Sequence, residues 1–289
     1  MCDLDQLNDM EPAIGKVNRR QFTAMGAFAG LAACTTTGAE AAGVTETAVG
    51  FAAPGGTLDG IFYHPASGRH PAVILWPDIA GIRPAKKAMA RRLAEAGYAV
   101  LLANPYYRSV AGEPFADFEA WRSGGGMQKV GPWIQKNTPE AIMETYKAAV
   151  AWLDRQGAVD TRKGIGTQGY CMTGSWTIYG GAAVPGRIKG MASFHGGGLA
   201  GDGPNSPVNL LDDLAPDAHV LIAIGKNDDE RAPTDKDKLR EAAAKSAATE
   251  EIEVYQGDHG WTVPDSPVYN QAEAERAWSR LLATYSAAL

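Results

Sequence analysis

The chain has 289 residues, a length that one α/β domain can fill, and its net charge is −6. Hydrophobic residues make up 45% and charged residues 21%, an ordinary balance for a folded globular protein. The sequence has no dense run of lysine and arginine and no basic stripe with interleaved aromatic residues. We therefore expect no nucleic-acid partner, because neutralisation of phosphates dominates such binding.

Residues 1–43 differ from the rest of the chain and predict an export signal followed by a linker. Arg19 and Arg20 precede a modestly apolar stretch over residues 24–33, and small residues follow it. This stretch is too short to span a bilayer, which takes roughly 20 apolar residues. The arginine pair resembles a twin-arginine signal, so we expect an exported, periplasmic protein. The alternative, if this leader does not function, is a cytoplasmic one.

Two ways of processing this leader remain open. Residues 31–34 (Leu-Ala-Ala-Cys) resemble a lipobox, in which a lipidated Cys34 would attach the protein to a membrane. Ordinary cleavage near residues 39–41 is the alternative. Cleavage near residue 42 would leave Cys171 as the sole thiol of the mature chain, which excludes an intrachain disulfide. A lone thiol in an oxidising compartment is either buried or used.

Residues 44–289 form the predicted α/β domain. Two short strands, 45–51 and 57–63, form a hairpin around Pro54-Gly55-Gly56, and helices alternate with buried strands after it. This alternation predicts a mostly parallel sheet with helices on both faces and an antiparallel hairpin at one edge. The later predicted strands are 72–76, 98–103, 164–169, 188–194, 219–224 and 251–255, and the helices are 84–96, 138–155, 234–247 and 269–287.

The segment Ser109–Asn137 shows no clean periodicity. It contains Trp121, Trp133 and three consecutive glycines, and it follows the carboxyl end of a predicted strand. Long loops at that position are often lids or walls of a substrate pocket. The alternative is a packed surface excursion with a helical turn near residues 115–121.

The residues Gly169-Tyr170-Cys171-Met172-Thr173-Gly174 lie where a predicted strand turns sharply into a helix. That setting is typical of a nucleophile elbow, commonly written G-x-S-x-G. A thiol at a helix N-terminus is favoured as thiolate, and the Met172 amide would face an oxyanion on the attacked carbonyl. A buried structural cysteine is the alternative.

This elbow resembles that of the dienelactone hydrolase family, whose nucleophile is a cysteine in the pattern G-x-C-x-x-G. The resemblance extends from about residue 45 to the C-terminus and implies an α/β-hydrolase fold. The sequence contains neither a histidine pair at the spacing H-E-x-x-H nor a phosphate loop of the type G-x-x-x-x-G-K. We therefore predict no metal and no cofactor.

The order nucleophile, acid, histidine expected of an α/β-hydrolase is met by Cys171, Asp228 and His259. Asp228 follows one late strand and His259 follows the last, as that fold requires. His195, at the end of another strand, is expected to pack there, with a place in the pocket as the alternative.

Several acidic residues compete for the role of the acid. Asp229 and Glu230 follow Asp228 directly, and Asp258 precedes the histidine. The Gly-x-x-Asp spacing of the family selects Asp228, and Asp258 would point away if its turn is tight. A carboxylate at the Nδ1 side of the histidine would fix its tautomer and stabilise the imidazolium.

The resemblance implies further site residues. Asp78 matches an acidic position, typically glutamate, that controls the resting nucleophile; an ordinary turn residue is the alternative. The backbone amides of Ile79 and Met172 would form the oxyanion hole. Arg108 matches an arginine that contacts the substrate carboxylate, with a surface arginine as the alternative. The family's second such arginine corresponds to Val263 in this chain.

The predicted reaction is hydrolysis of a lactone or activated carboxylic ester through a thioester at the nucleophile. Trp133 and Trp261 suggest an apolar or aromatic small-molecule substrate. A carboxylesterase of relaxed specificity and a non-catalytic exported binding protein on the same fold are the alternatives. The sequence has no feature that indicates an oligomeric state.

Overall fold

The computed structural model describes residues 43–289. The predicted export segment, with Arg19, Arg20 and Cys34, lies outside the described residues. Within the described range, no helix has the length and apolar character needed to cross a membrane.

The described residues form one sheet of eight strands in the order β1-β2-β4-β3-β5-β6-β7-β8. The first pair is antiparallel, β2 and β4 are antiparallel, and every other neighbouring pair is parallel. The predicted mostly parallel sheet with an antiparallel hairpin at its edge is confirmed. The strands are β1 (Val44–Ala53), β2 (Gly56–Pro65), β3 (Ala72–Trp76), β4 (Ala99–Ala103), β5 (Ile165–Tyr170), β6 (Ile188–Phe194), β7 (His219–Ile224) and β8 (Thr249–Val254).

Helices cover both faces of this sheet, as predicted. Those of the described range are α1 (Pro84–Glu95), α2 (Phe118–Ser123), α3 (Gly126–Ile134), α4 (Pro139–Leu153), α5 (Trp176–Ala183), α6 (Lys226–Arg231), α7 (Asp235–Ala243) and α8 (Gln271–Ala288). Two 3₁₀ segments, Cys171–Thr173 and Pro207–Asp213, supplement them. Helices α4, α5 and α7 pack on one face, whereas α1 and α8 pack on the other.

Successive side chains of the central strands point to opposite faces of the sheet and so fill both core layers. In β3, Ile74 and Trp76 face the layer under α4 and α5, while Val73 and Leu75 face the layer under α1 and α8. All residues of β3 are fully buried. Burial of each large apolar side chain contributes roughly 1.5–3 kcal/mol, so an apolar run without alternation is stable only between two covered faces.

The ends of two helices follow from local chemistry. Helix α1 begins at Pro84, whose fixed φ suits a first helical turn, and the chain leaves it through Gly97 at φ 99°. Helix α4 has Thr138 as its N-cap, and the Thr138 hydroxyl accepts a hydrogen bond from the Ala141 amide at 3.2 Å. The sequence predicted the starts of both helices and the glycine that ends α1.

The segment Ser109–Asn137 is packed rather than open. It contains α2 and α3, and the buried side chains of Phe118, Trp121 and Val130 join the core. Asp117 caps α2 by accepting a hydrogen bond from the Ala120 amide at 2.7 Å. The helical turn expected near residues 115–121 is therefore present, slightly later in the chain.

Two glycines permit the crossing between β5 and the following helix. A β-carbon at Gly169 would overlap the Thr173 carbonyl, and one at Gly174 would overlap the backbone of Gly196 and approach Ser193 Oγ to 2.6 Å. Only glycine fits where two backbone segments pass this closely. These contacts explain why both glycines of the elbow pattern are required.

We predict that Gly174→Ala lowers the free energy of unfolding by about 1–3 kcal/mol, because the new methyl group overlaps backbone that cannot rotate away. Gly131→Ala in α3 is the matched control, since nothing lies within 4 Å of a β-carbon there. That substitution should leave stability unchanged or raise it slightly. Urea unfolding monitored by tryptophan fluorescence compares the two, and equal midpoints would contradict the account of this crossing.

Candidate active site

Three predicted site residues converge at the carboxyl edge of the parallel strands. Cys171 follows β5, Asp228 lies in the first turn of α6 after β7, and His259 follows β8. Clefts at this edge are the usual binding sites of open α/β sheets. Residues far apart in the sequence thus meet because their strands are parallel and adjacent in the sheet.

Cys171 occupies a strained backbone conformation at the start of the turn. Its φ is 55°, and its exposure is 4%. The Thr173 hydroxyl stabilises this turn, accepting a hydrogen bond from the Tyr170 amide at 2.9 Å and donating to the Pro77 carbonyl at 2.9 Å. Strained residues of this kind persist where surrounding contacts over-determine them, which is frequent at functional sites.

His259 is held by Asp228 and by a neighbouring amide. The ring Nδ1 lies 3.0 and 2.9 Å from the two carboxylate oxygens of Asp228, and the side chain of His259 is 2% exposed. Its backbone amide donates to Asn227 Oδ1 at 2.7 Å. The carboxylate therefore orients the ring, while the Asn227 side chain holds the backbone that carries it.

The other acidic candidates make different contacts. Asp229 forms an ion pair with Lys236 at 2.7 Å, Glu230 lies 3.8 Å from Lys226, and Asp258 is exposed. Of the carboxylates considered from the sequence, Asp228 is the one in contact with the imidazole.

The surroundings of His259 favour its protonated form. Burial by itself would lower its pKa, but the neighbouring Cys171 and the hydrogen bond with Asp228 outweigh this effect and raise the pKa to about 10. An imidazolium beside a thiol stabilises the thiolate, so the pair is suited to nucleophilic attack.

Cys171 and His259 line a small cavity with a mostly apolar wall. Its volume is about 10 Å³, close to the space of a single water molecule. A larger molecule can enter only if a lining side chain moves. The lining residues are Asp78, Ile79, Phe118, Cys171, His195, His259, Gly260, Val263 and Ser266.

Asp78 belongs to a buried ionic cluster beside this cavity. Its two oxygens accept hydrogen bonds from the Arg83 guanidinium at 2.7 and 2.9 Å, and Lys86 Nζ lies 3.0 Å away. The Ala80 amide donates to the same carboxylate at 3.0 Å. These contacts occupy the acceptor positions of the carboxylate. Despite a burial that would raise it, the positive charges of Arg83 and Lys86 hold the pKa of Asp78 well below its usual range.

The sequence predicted Asp78 as an acid that controls the nucleophile. The structure places the residue in the cavity wall, where its carboxylate is bound by two cations that sequence reasoning missed. Arg83 and Lys86 follow it by five and eight positions, around the start of α1, with no motif to mark them. Any control of the thiol by Asp78 remains a prediction and would act from within this cluster.

Asp265 connects the cluster to the wall of the cavity. It accepts hydrogen bonds from Arg83 Nε at 2.8 Å and from the Phe118 amide at 3.0 Å. The Arg83 guanidinium also lies 5.6 Å from the centre of the Phe118 ring. The start of α2 is therefore fixed over the cavity by charge as well as by packing.

Three residues predicted to bind substrate lie outside the cavity lining. Arg108 donates to the Ala141 carbonyl and to Thr145 Oγ1, both at 2.7 Å, so its guanidinium faces α4. Trp261 is fully buried in the core. The rings of Trp133 and Tyr106 lie tilted against each other, with their centres 5.3 Å apart, and neither residue lines the cavity. Contact of Arg108 with a substrate carboxylate remains a prediction.

The two residues predicted to form the oxyanion hole lie beside Cys171. Met172 follows it in the turn, and Ile79 lines the cavity at the end of β3. The Tyr106 hydroxyl donates to the Ile79 carbonyl at 2.7 Å and thereby holds this loop. The role of the two amides as oxyanion donors remains a prediction.

Sequence reasoning missed other parts of the site. Phe118 and Ser266 line the cavity although both come from segments without a recognisable motif. His195 was expected to pack at its strand end, and the structure shows that it packs there and also lines the cavity. Among residues 43–289, no group of three or more His, Cys, Asp and Glu side chains is arranged to hold a metal ion.

The chain is similar to known proteins of one hydrolase family. The sequence profile of the dienelactone hydrolase family matches residues 58–289. A Synechocystis sp. protein named as a carboxymethylenebutenolidase is 26% identical over 221 residues, which cover 75% of this chain and 85% of the relative. A Salmonella typhimurium protein with the same name is 27% identical over 255 residues, covering 86% and 88%.

The fold is also similar to that of a solved structure. A crystal structure described as a dienelactone hydrolase from Klebsiella pneumoniae superposes with a TM-score of 0.70 at 23% identity. The match covers 84% of this chain and 99% of that one. This likeness shows the α/β-hydrolase fold.

We predict that Asp78→Asn lowers the free energy of unfolding by about 3–5 kcal/mol, because it leaves Arg83 and Lys86 buried without their shared counter-charge. Asp265→Asn is the control, since the Asp265 side chain is 24% exposed and its loss should cost less. Chemical denaturation at pH 7 measures the free energy of unfolding of both variants. If Asp78→Asn is as stable as Asp265→Asn or more stable, the prediction is wrong.

The raised pKa of His259 predicts a pH-dependent contribution to stability. Because the folded-state pKa of about 10 exceeds the unfolded value near 6.5, the contribution is complete below pH 6.5 and is lost as the pH rises towards 10. The stability difference between the parent protein and His259→Gln should therefore be larger at pH 6 than at pH 9.5. Cys171→Ala should flatten this trend, because it removes the thiol that raises the pKa. A stability difference that grows with rising pH would contradict the assignment of a protonated His259.

Proposed function

The chain belongs to the dienelactone hydrolase family and is a hydrolase of ester or lactone bonds, and we propose that it acts through a thioester at Cys171. The observation that supports this mechanism is the buried contact between His259 Nδ1 and Asp228 beside the strained Cys171. A histidine oriented by a carboxylate and adjacent to a thiol is the arrangement that activates a nucleophile for acyl transfer.

In the first half-reaction, the Cys171 thiolate attacks the carbonyl carbon, a C–S bond forms, and the carbonyl π electrons move to the oxygen. The Met172 and Ile79 amides are proposed to donate hydrogen bonds to this oxyanion. When it collapses, the C–O bond breaks and the leaving alkoxide or enolate takes a proton from His259. The acyl group then remains on sulfur as a thioester.

In the second half-reaction, His259 accepts a proton from water while the oxygen of that water attacks the thioester carbon. The C–S bond breaks, the thiolate is restored, and the carboxylic acid leaves. Asp228 keeps Nδ1 protonated throughout, so that Nε2 is the nitrogen that exchanges protons with the reacting groups. Asp228 thus acts by orienting the ring and stabilising its charge.

The cavity favours a substrate that is uncharged near the reacting carbonyl. Among the described residues that line it, none is a lysine or an arginine. The nearby Arg83 is paired with Asp78 and Asp265, and Arg108 faces α4. An anionic substrate would thus meet no unpaired cation here and would approach the Asp78 carboxylate.

This lining supports a second candidate, a carboxylesterase of relaxed specificity, because simple esters need no anion-binding group. For either substrate, entry would require Phe118 or a neighbouring lining residue to move, given the size of the cavity.

We predict that Cys171→Ala lowers kcat/KM on aryl esters and unsaturated lactones by about three orders of magnitude or more. The full chain is assayed on a panel of both classes with neutral and anionic members. Cys2→Ala and Cys34→Ala are matched controls that remove the other thiols and should retain full activity. Neutral esters should rank above anionic lactones.

Mass spectrometry of the protein mixed with a slow substrate should show an acyl adduct on Cys171. Activity that survives Cys171→Ala would disprove the assignment of the nucleophile. Turnover by the parent protein with no adduct on Cys171 would count against the thioester mechanism.

A further inference from the structure

His195 and the nucleophile occupy equivalent positions on neighbouring strands. Tyr170 of β5 pairs with Phe194 of β6, so Cys171 and His195 are the next residues along two adjacent parallel strands. They are also the only non-glycine residues with positive φ among residues 43–289, at 55° and 40°. The fold therefore maintains backbone strain at two neighbouring points of the same cavity.

The loop that contains His195 is fixed against the nucleophile's turn. The His195 amide donates to the Ala223 carbonyl at 2.8 Å, and the Gly197 amide donates to the Cys171 carbonyl at 3.1 Å. A β-carbon at Gly174 would overlap Gly196 Cα, and one at Gly196 would overlap Ser193 Oγ. The position of His195 relative to Cys171 is thus determined by backbone contacts on both sides.

The imidazole of His195 is enclosed by the site. Its ring centre lies 4.9 Å from that of His259 and 5.1 Å from that of Trp261, both edge to face. Its Nε2 lies 3.0 Å from Thr262 Oγ1, and the residue is 1% exposed. If this position only had to be filled, an apolar side chain of similar size would suffice, and its burial would cost less free energy than that of an imidazole.

The second ring nitrogen, Nδ1, is buried without a hydrogen-bond partner. Burial and the nearby charges of His259 and Lys86 hold the pKa of His195 well below its usual value, so the ring is neutral. A buried polar atom without a partner destabilises the folded state. Such an atom therefore calls for an explanation, and a hydrogen bond to a bound ligand is one. His195 lines the same cavity as Cys171 and His259.

We propose that His195 is a substrate-binding residue that donates a hydrogen bond from Nδ1 to an oxygen of the bound ester or lactone. This inference rests on the proposed function, because that function supplies the chemistry of the ligand. The reacting end of an ester or lactone offers hydrogen-bond acceptors and no donor. A neutral imidazole can meet it with Nδ1–H when Nε2 accepts a hydrogen bond from the Thr262 hydroxyl. Thr262 is then a positioning residue that selects the tautomer of His195.

Neutrality is essential to this role. A cationic His195 would repel the His259 imidazolium 4.9 Å away, measured between ring centres, and would weaken the thiolate-activating charge. A neutral donor can contact an uncharged substrate without disturbing that charge.

The test compares His195→Leu and His195→Asn, whose side chains have the same branched shape and differ in polarity. Asparagine also tolerates positive φ. In the full chain, His195→Leu should lower kcat/KM on neutral esters by about 10- to 100-fold, and His195→Asn should restore part of the loss. Thr262→Val keeps the His195 ring but removes the donor to Nε2, so it should also reduce kcat/KM, by less than His195→Leu.

Alkylation of Cys171 by iodoacetamide across pH distinguishes binding from a structural role, because it reports on the Cys171–His259 pair without ester turnover. The alkylation rate and its pH profile should stay within about twofold of the parent in all three variants. If alkylation falls together with ester turnover, His195 merely shapes the site and the proposal is overturned.

Full kcat/KM in His195→Leu would likewise overturn this proposal while leaving the hydrolase mechanism intact. If His195→Leu does not fold, the Thr262→Val variant tests the proposal instead. An unchanged kcat/KM in Thr262→Val would contradict the assigned tautomer of His195 and its role as a donor. A parent protein that hydrolyses no ester or lactone refutes the proposed function itself, and the inference about His195 fails with it.

Discussion

The close passage of two backbone segments at the end of β5 is the constraint that positions the turn after β5 against the loop after β6. A β-carbon at Gly174 would overlap Gly196, so the turn that contains Cys171 packs directly on the loop after β6. Within the described range, the two non-glycine residues with positive φ, Cys171 and His195, lie close to this contact in the chain. A strained backbone at Cys171 and at His195 thus coincides with the place where two strands and one helix cross most closely.

A second constraint is the balance of buried charge behind the cavity. Asp78 and Asp265 neutralise Arg83 and Lys86, and none of these cations is left to meet an anion in the cavity. Because burial penalises an unpaired charge heavily, the four side chains have to be considered as a unit. The cluster also secures Phe118 through the Asp265 carboxylate, so the electrostatics of the site and the shape of its wall depend on the same residues.

Much of the fold and the placement of the three candidate site residues were predictable from the sequence. Uninterrupted apolar strands, helices begun by Pro84 and Thr138, and the spacing of Cys171, Asp228 and His259 all depend on interactions that are local or repeat along the chain. A parallel sheet then brings strand ends to one edge, so residues that follow strands meet without further information. The structure confirms the sheet and shows the Asp228–His259 contact.

The sequence by itself thus determined the fold class, the family resemblance and the order of the candidate nucleophile, acid and histidine. Only the tertiary structure decided that Arg108 faces α4, that Asp78 is bound by Arg83 and that His195 meets His259 edge to face. Each of these depends on a contact between side chains from separate elements, and the direction of a side chain follows from packing rather than from its neighbours in sequence. Strand periodicity specifies which face a residue occupies, whereas partner and charge environment arise only when the elements are assembled.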